Sequence, residues 1–493
     1  MVAEQVSVVI AGAGFSGLAM ATKLKQSGRH DFVVLERAED VGGVWQVNTY
    51  PGCTCDVPSH LYSLSFAPNP EWSHTYSPQA EIREYLRRTA DRFGLRAHIR
   101  TGVAVETATW SQNDNQWTIE TSSGTFACSV FISAVGPLTE PNLPDVPGLD
   151  SFEGKLMHSA RWDHDFDLSG KRVASIGTGA SAIQYVPKIV DQVAQLHVFQ
   201  RTPPWVMPHS SRPITDWERA LYRRLPAVQE LVRQGVYWSR ELLVLGMAKD
   251  PRLLGLLEKV SRSHMRKGIS NPGLRTKLTP DYTVGCKRIL PSNGWYPALA
   301  KANVELITSG LAEVRANTVI SSSGLEREVD VIIFGTGYHV TDIPFASHVR
   351  GRDAVLKDAW EGRPRAYLGT SIPGFPNFFM LLGPNTGLGH SSMVYMIESQ
   401  IAHVLGAIDV MQAAQSTMIE VRADVHDDYN REIDAQLRGT VWEIGGCSSY
   451  YRDRTGRNAT LWPDWTWRFR RLARESPADA YLLTSPARES VTA

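Results

Sequence analysis

The sequence predicts an α/β protein: two doubly wound dinucleotide-binding domains with a helical insertion. Three observations carry this. Gly12-Ala13-Gly14-Phe15-Ser16-Gly17 lies between an apolar β-branched run and a helix-forming stretch. Gly177-Thr178-Gly179-Ala180-Ser181-Ala182 repeats that arrangement farther along. Residues 206–285 change character, with Leu, Arg and Trp at helical spacing, including Trp217, Leu221, Leu225, Val228, Leu231 and Val232.

The first unit begins with a strand at 6–11, whose β-branched run suits a buried parallel sheet. Gly12 allows the tight turn, Gly14 lets backbone approach a pyrophosphate, and Gly17 lets the helix pack on the strand. The helix N-terminus, which Ser16 enters, then faces the phosphates. A second strand at 32–36 ends in Glu36, 19 residues after Gly17, where a carboxylate binds a ribose 2′-OH and excludes a 2′-phosphate. FAD or NAD fits this site. The glycine-rich loop from Gly42 through Val44, Trp45, Tyr50-Pro51-Gly52 and Asp56 favours FAD, because a flavin ring needs flat apolar contact and backbone donors.

The second unit opens on a strand at 171–176, and a helix is expected at 183–190. Its next strand, 195–200, ends in Arg201-Thr202 where the first unit has an acid. Arginine there admits a 2′-phosphate, so the second cofactor is read as NADPH. Strands at 130–135 and 329–334, each returning to a glycine turn, complete the two domains. The basic faces of 206–285 are read as a packed helical subdomain rather than a membrane contact.

The chain has 493 residues, which suits two or three domains. Lys+Arg and Asp+Glu both number 51, so no net field recruits nucleic acid. Five cysteines, an odd count without metal-ligand spacing, point to a reducing, cytoplasmic setting and to no metal site. Glu4 leads straight into a strand, unlike a signal peptide, and no apolar run is long enough to span a membrane. Tryptophans at 442, 462, 465 and 467 favour a packed C-terminal segment, with a frayed end after Thr484.

Between the two glycine signatures stand Phe152, Gly154, His158, Trp162 and Asp163, spaced F-x-G-x-x-x-H-x-x-x-W-[P/D]. With the Gly43-x-Trp45…Tyr50-Pro51-Gly52…Asp56 loop, this pattern resembles the flavin-dependent Baeyer–Villiger monooxygenases over nearly the whole chain. The related flavin-containing monooxygenases typically have Tyr or Phe in place of Trp162. The resemblance implies a C4a-peroxyflavin that converts a small-molecule ketone, with NADPH and O₂, to an ester or lactone, and that also oxidises sulfides. It implies Arg288 over the flavin, oriented by Asp56, and Lys287 beside Arg201 and Thr202 on the 2′-phosphate. Val44, Trp45, Tyr62, Val105 and Met393 are implied flavin contacts. His158 is implied in domain coupling rather than bond-making. Tyr450 stands where the family commonly has a Trp that folds over the nicotinamide cofactor. The implied division is an FAD domain at 1–140 and 346–493, an NADP domain at 141–205 and 286–345, the insertion at 206–285, and a control loop near 436–455. Two other readings stay open: an N- or S-oxidising monooxygenase, and an FAD/NADPH reductase that passes electrons to a partner protein.

Overall fold

A computed structural model describes residues 2–475 and 478–484. The expected fraying after Thr484 falls outside the described residues. The first glycine signature joins β1 (Glu4–Ala11) to helix α1 (Phe15–Gln26), and β2 (Phe32–Glu36) follows. The last four residues of β1 and all of β2 are buried, as a sheet covered on both faces requires. Two helices come next, α2 (Val44–Val47) and α3 (Gln79–Arg92). Four strands complete the first stretch: β3 (Ile99–Thr101), β4 (Val105–Ser111), β5 (Gln116–Thr121) and β6 (Gly124–Ser133). β6 pairs parallel to β1 and antiparallel to β5, so this sheet is parallel on one side and a meander on the other.

The second sheet is all parallel. It uses β7 (Lys155–His158), β8 (Arg172–Ile176) and β9 (Gln195–Phe199), with α4 (Ala182–Ile189) between the last two. Residues 152–163, expected as a linker, therefore supply a strand: β7 lies at the edge of this sheet, beside a strand at Val331–Phe334. The glycine of that segment has a packing reason. A Cβ on Gly154 would lie 2.4 Å from the Asp330 carbonyl and 2.6 Å from the Phe152 ring. Lys155 and Asp163 form an ion pair across the segment.

Helices α5 (Asp216–Arg224), α6 (Pro226–Glu241), α7 (Gly255–Gly268) and α8 (Pro272–Lys277) form the insertion. Thr215 and Glu218 close a capping box at the start of α5. Val228 and Val232 pack on the core, but Trp217, Leu225 and Leu231 are 69%, 53% and 72% exposed. The apolar spacing of the insertion thus marks two faces, of which only one is covered. At the C-terminus Trp442 and Trp462 are buried and Trp467 is partly exposed, a mixed outcome for the packed-segment expectation.

The chain then returns to the first sheet through strands at Val349–Arg350 and Phe378–Met380, which pair with β4 and β6. Outgoing and returning chain meet at the crossing. The Asn142 N–H donates to the Gly337 carbonyl at 2.9 Å, and the His339 N–H donates to the Glu140 carbonyl at 3.1 Å. Arg37, just past β2, ion-pairs with Glu140 and fixes the crossing to the first unit.

Candidate active site

The first glycine turn leaves no room for side chains. Gly12 has φ +103°, and a Cβ there would lie 2.7 Å from the Ala134 carbonyl oxygen. A Cβ on Gly17 would lie 1.8 Å from the Gly12 oxygen. Gly14 faces Gly43, so two bare backbones run together. No side chain caps α1 at Gly14, and its first turn carries no acid, so the helix N-terminus suits a pyrophosphate. Ser16 is buried in that turn. The Glu36 carboxylate is buried and accepts from the Ala13 and Ala38 N–H groups at 2.7 and 2.9 Å, which holds it beside the glycine turn.

Val44 opens α2, and Trp45 is buried beneath it. The Trp45 indole donates to the Tyr62 hydroxyl at 3.1 Å, and the Tyr62 ring stands edge-on to Phe15. Met393 begins the helix Met393–Ala413, whose first turn is capped by Ser392. Val105 opens β4 near the Glu36 end of the site: Val103, two residues earlier, donates its N–H to the Glu36 carbonyl.

The second turn repeats the first. Gly177 also has φ +103°, and its Cβ would meet the Gly335 oxygen at 2.6 Å. Gly179 has only one neighbour near that limit, at 3.9 Å, which leaves space above the turn. Ser181 precedes α4 without a side-chain cap, while Ala180 is exposed and Ala182 buried. Thr178 donates its hydroxyl to the Thr202 carbonyl at 3.3 Å. Lys287 lies close enough to Arg201 for the two charges to interact. Burial, and then that neighbouring cation, lower the Lys287 pKa below the usual lysine range, with Asp281 pulling the other way. Two cations held together suit a bound dianion such as a 2′-phosphate.

Arg288 and Asp56 form a bidentate pair. Nε donates to Oδ2 at 2.6 Å and Nη2 to Oδ1 at 2.7 Å. Nη1 makes only a long contact, 3.4 Å, to the Leu388 carbonyl, so half of the guanidinium fork remains to meet another group. Burial pushes the Asp56 carboxyl up, but Arg288 outweighs it and the pKa falls below the usual carboxylate range. The Asp56 charge, working against burial, raises Arg288 still further. The loop between the two nucleotide turns also ties the units together. Tyr50 donates to the Gln184 side-chain oxygen on α4 at 2.9 Å, and Gln184 donates back to the Thr54 carbonyl. Tyr185, the next residue on α4, packs between Tyr50 and Trp162.

Tyr450 is 50% exposed and leans on Tyr451, with ring centroids 4.5 Å apart. Tyr451 is buried and near enough to Arg288 and Asp56 to feel both charges. Nothing in the sequence singles out Tyr451 beyond its place next to Tyr450. The sequence also hid the disulfide between Cys286 and Cys447. The odd count, read as a sign of a reducing setting, contains one pair, with Cys53, Cys55 and Cys128 free and buried. The pair escaped notice because its members lie 161 residues apart. His158 is buried with its ring edge-on to Tyr338, and donates nothing to Arg288 or Asp56 among the bonds described.

Residues 9–223 match the pyridine nucleotide-disulphide oxidoreductase family. A Baeyer–Villiger monooxygenase of Streptomyces coelicolor is 51% identical over 99% of this chain and 95% of its own length. An oxidized steroid monooxygenase bound to NADP superposes with a TM-score of 0.85 at 31% identity, over 98% of this chain and all of that one. An OTEMO complex with FAD and NADP gives 0.86 at 28% identity, over the same shares. With about half of its residues shared along almost its entire length, the chain belongs to the Baeyer–Villiger monooxygenase family.

Proposed function

We propose that this protein is an NADPH- and O₂-dependent flavoenzyme that converts ketones to esters or lactones. The observation that supports it most is the Arg288–Asp56 pair, which leaves Nη1 with a single long bond and lies within electrostatic reach of Tyr450 and Tyr451. When bound, NADPH supplies a hydride and FAD the electrons that activate O₂ for transfer to the carbonyl carbon. Residues of the first turn, Gly12, Gly14, Ser16 and Gly17, hold the FAD pyrophosphate, and Glu36 holds its ribose. Val44, Trp45, Tyr62, Val105 and Met393 line the rest of the flavin. Gly177 to Ala182 hold the NADP pyrophosphate, and Arg201, Thr202 and Lys287 hold its 2′-phosphate.

A ketone carbonyl is attacked by an anion, and its oxygen becomes negative as the new bond forms. The Nη1 group of Arg288, which makes only a long bond to Leu388, stabilises that charge, and Asp56 keeps the guanidinium from rotating away. Arginine stays protonated at every working pH, so it stabilises the anion without supplying a proton that would quench it. The buried Tyr451 closes one side of the site to water. Sulfides react as nucleophiles and depend less on this cation, so the same site oxygenates them by a route that Arg288 influences weakly. The domain division 1–140, 141–205, 206–285, 286–345 and 346–493 belongs to this proposal, with 436–455 as the loop that covers the site.

Arg288→Ala is expected to abolish ester formation from a ketone panel while NADPH still reduces the flavin. Ester at a near-normal rate from that variant would remove Arg288 from the proposed role.

A further inference from the structure

We propose that Cys286 and Cys447 form a reversible thiol–disulfide modification site whose closure holds the C-terminal loop over Arg288. The proposal rests on the reading of Arg288 above for its effect on turnover, but not for its effect on the loop. Cys286 is buried and immediately precedes Lys287 and Arg288. Cys447 is partly exposed and stands three residues before Tyr450. The bond therefore joins the segment that carries both cations to the segment that carries the covering tyrosines.

The two segments are fitted to each other around the sulfurs. The Thr283 N–H donates to the Gly445 carbonyl at 2.9 Å. Gly445 sits so close that a Cβ there would lie 2.7 Å from the Cys286 Cβ. Arg452 donates to the carbonyls of Trp442 and Glu443 within the loop, while Arg454 ion-pairs with Asp342 outside it. The covalent bond is the link that joins the loop directly to the residue before Lys287 and Arg288. Burial raises the thiols of Cys53 and Cys128 to about 11 and about 12, so neither competes as a thiolate.

Opening takes an external dithiol. Its thiolate attacks Cys447 Sγ, the sulfur nearer solvent, and Cys286 leaves as a thiolate that takes a proton. The second thiol of the reductant then displaces Cys447 and closes the reductant's own disulfide, so two electrons pass to the pair. Closure takes hydrogen peroxide. The Cys447 thiolate cleaves the O–O bond, giving a sulfenic acid and a hydroxide that takes up the proton the thiol had lost; the Cys286 thiol then displaces the sulfenic oxygen as a second water while the S–S bond forms.

The test uses the FAD-loaded enzyme, treated with dithiothreitol or with hydrogen peroxide and then desalted. Thiol titration after unfolding is expected to give five thiols in the reduced form and three in the oxidised form. Proteolysis within 436–455, followed by mass spectrometry, is expected to run on the order of tenfold faster after reduction. Ester formed per NADPH consumed is expected to fall, with FAD content unchanged. Cys447→Ser, with four thiols under both treatments, should match the reduced enzyme in cleavage rate and in ester per NADPH. Five thiols after peroxide, or equal cleavage rates in the two states, would overturn the proposal. If cleavage follows the thiol count but neither state makes ester, the latch stands and the ketone-oxygenating reading falls.

Discussion

At the scale of single residues, the proposed site separates two cations that lack a carboxylate partner from one that a carboxylate holds in place. Arg201 and Lys287 lie together with no carboxylate hydrogen-bonded to either among the described contacts, whereas Arg288 is locked to Asp56. A cation left without a carboxylate is available to a phosphate, and one held in a bidentate fork keeps its direction. Arg201→Ala is therefore expected to raise the KM for NADPH about tenfold or more, the value of one charge-assisted hydrogen bond. The KM for NADH should hardly move, so the ratio of the two in steady-state assays is the readout. A proportional rise for both cofactors would place Arg201 in general packing instead. Tyr450 shows where the residue scale limits inference. Its ring is half exposed, so it covers less than a buried aromatic would, and Tyr451 beside it takes the buried place.

Whole elements explain what the sequence could and could not reveal. Glycine turns were legible because each glycine answers a local demand: a positive φ at Gly12 and Gly177, and a contact distance at Gly17. The edge strand β7 was not, since Lys155–His158 carries no alternation and its partner, Val331–Phe334, lies far along the chain. Arg288 and Asp56 were legible only through resemblance, because 232 residues separate them and neither spacing nor periodicity connects them. Just before β7 the fixed point is Gly154. Gly154→Ala would drive a methyl against the Asp330 carbonyl and the Phe152 ring. The expected cost is about 1–3 kcal/mol, typical of overpacking, seen as a lower Tm with bound FAD retained. An unchanged Tm would mean that the edge of the sheet relaxes freely. The exposed Trp217, Leu225 and Leu231 show the converse failure, where helical spacing reports a helix but not which of its faces is covered.

Across the whole molecule, buried histidines set the acid limit of stability. Burial lowers His60, His158 and His403 to about 4 each. In the unfolded chain each titrates near 6.5, so below that pH the unfolded state binds more protons than the folded one. Stability is full above the unfolded value and falls as pH drops toward 4. The Tm is expected to decline steadily between about pH 7 and about pH 5, before carboxylates such as Asp56 begin to protonate. A flat Tm over that range would show that these imidazoles keep ordinary affinities for protons. The largest apolar cluster spans both nucleotide units, which favours a single unfolding transition. The crossing between the units has a mechanical meaning of its own. A lone tether lets two bodies swivel and drift apart, but here Glu140–Asn142 and Gly337–His339 are laced by backbone hydrogen bonds into a strap, staked at one end by Arg37. Such a strap resists stretching and sideways slip while it tolerates twist. With the Tyr50–Gln184–Thr54 bonds as a second tie, the strap leaves twist about its long axis as the softest way for one unit to shift against the other.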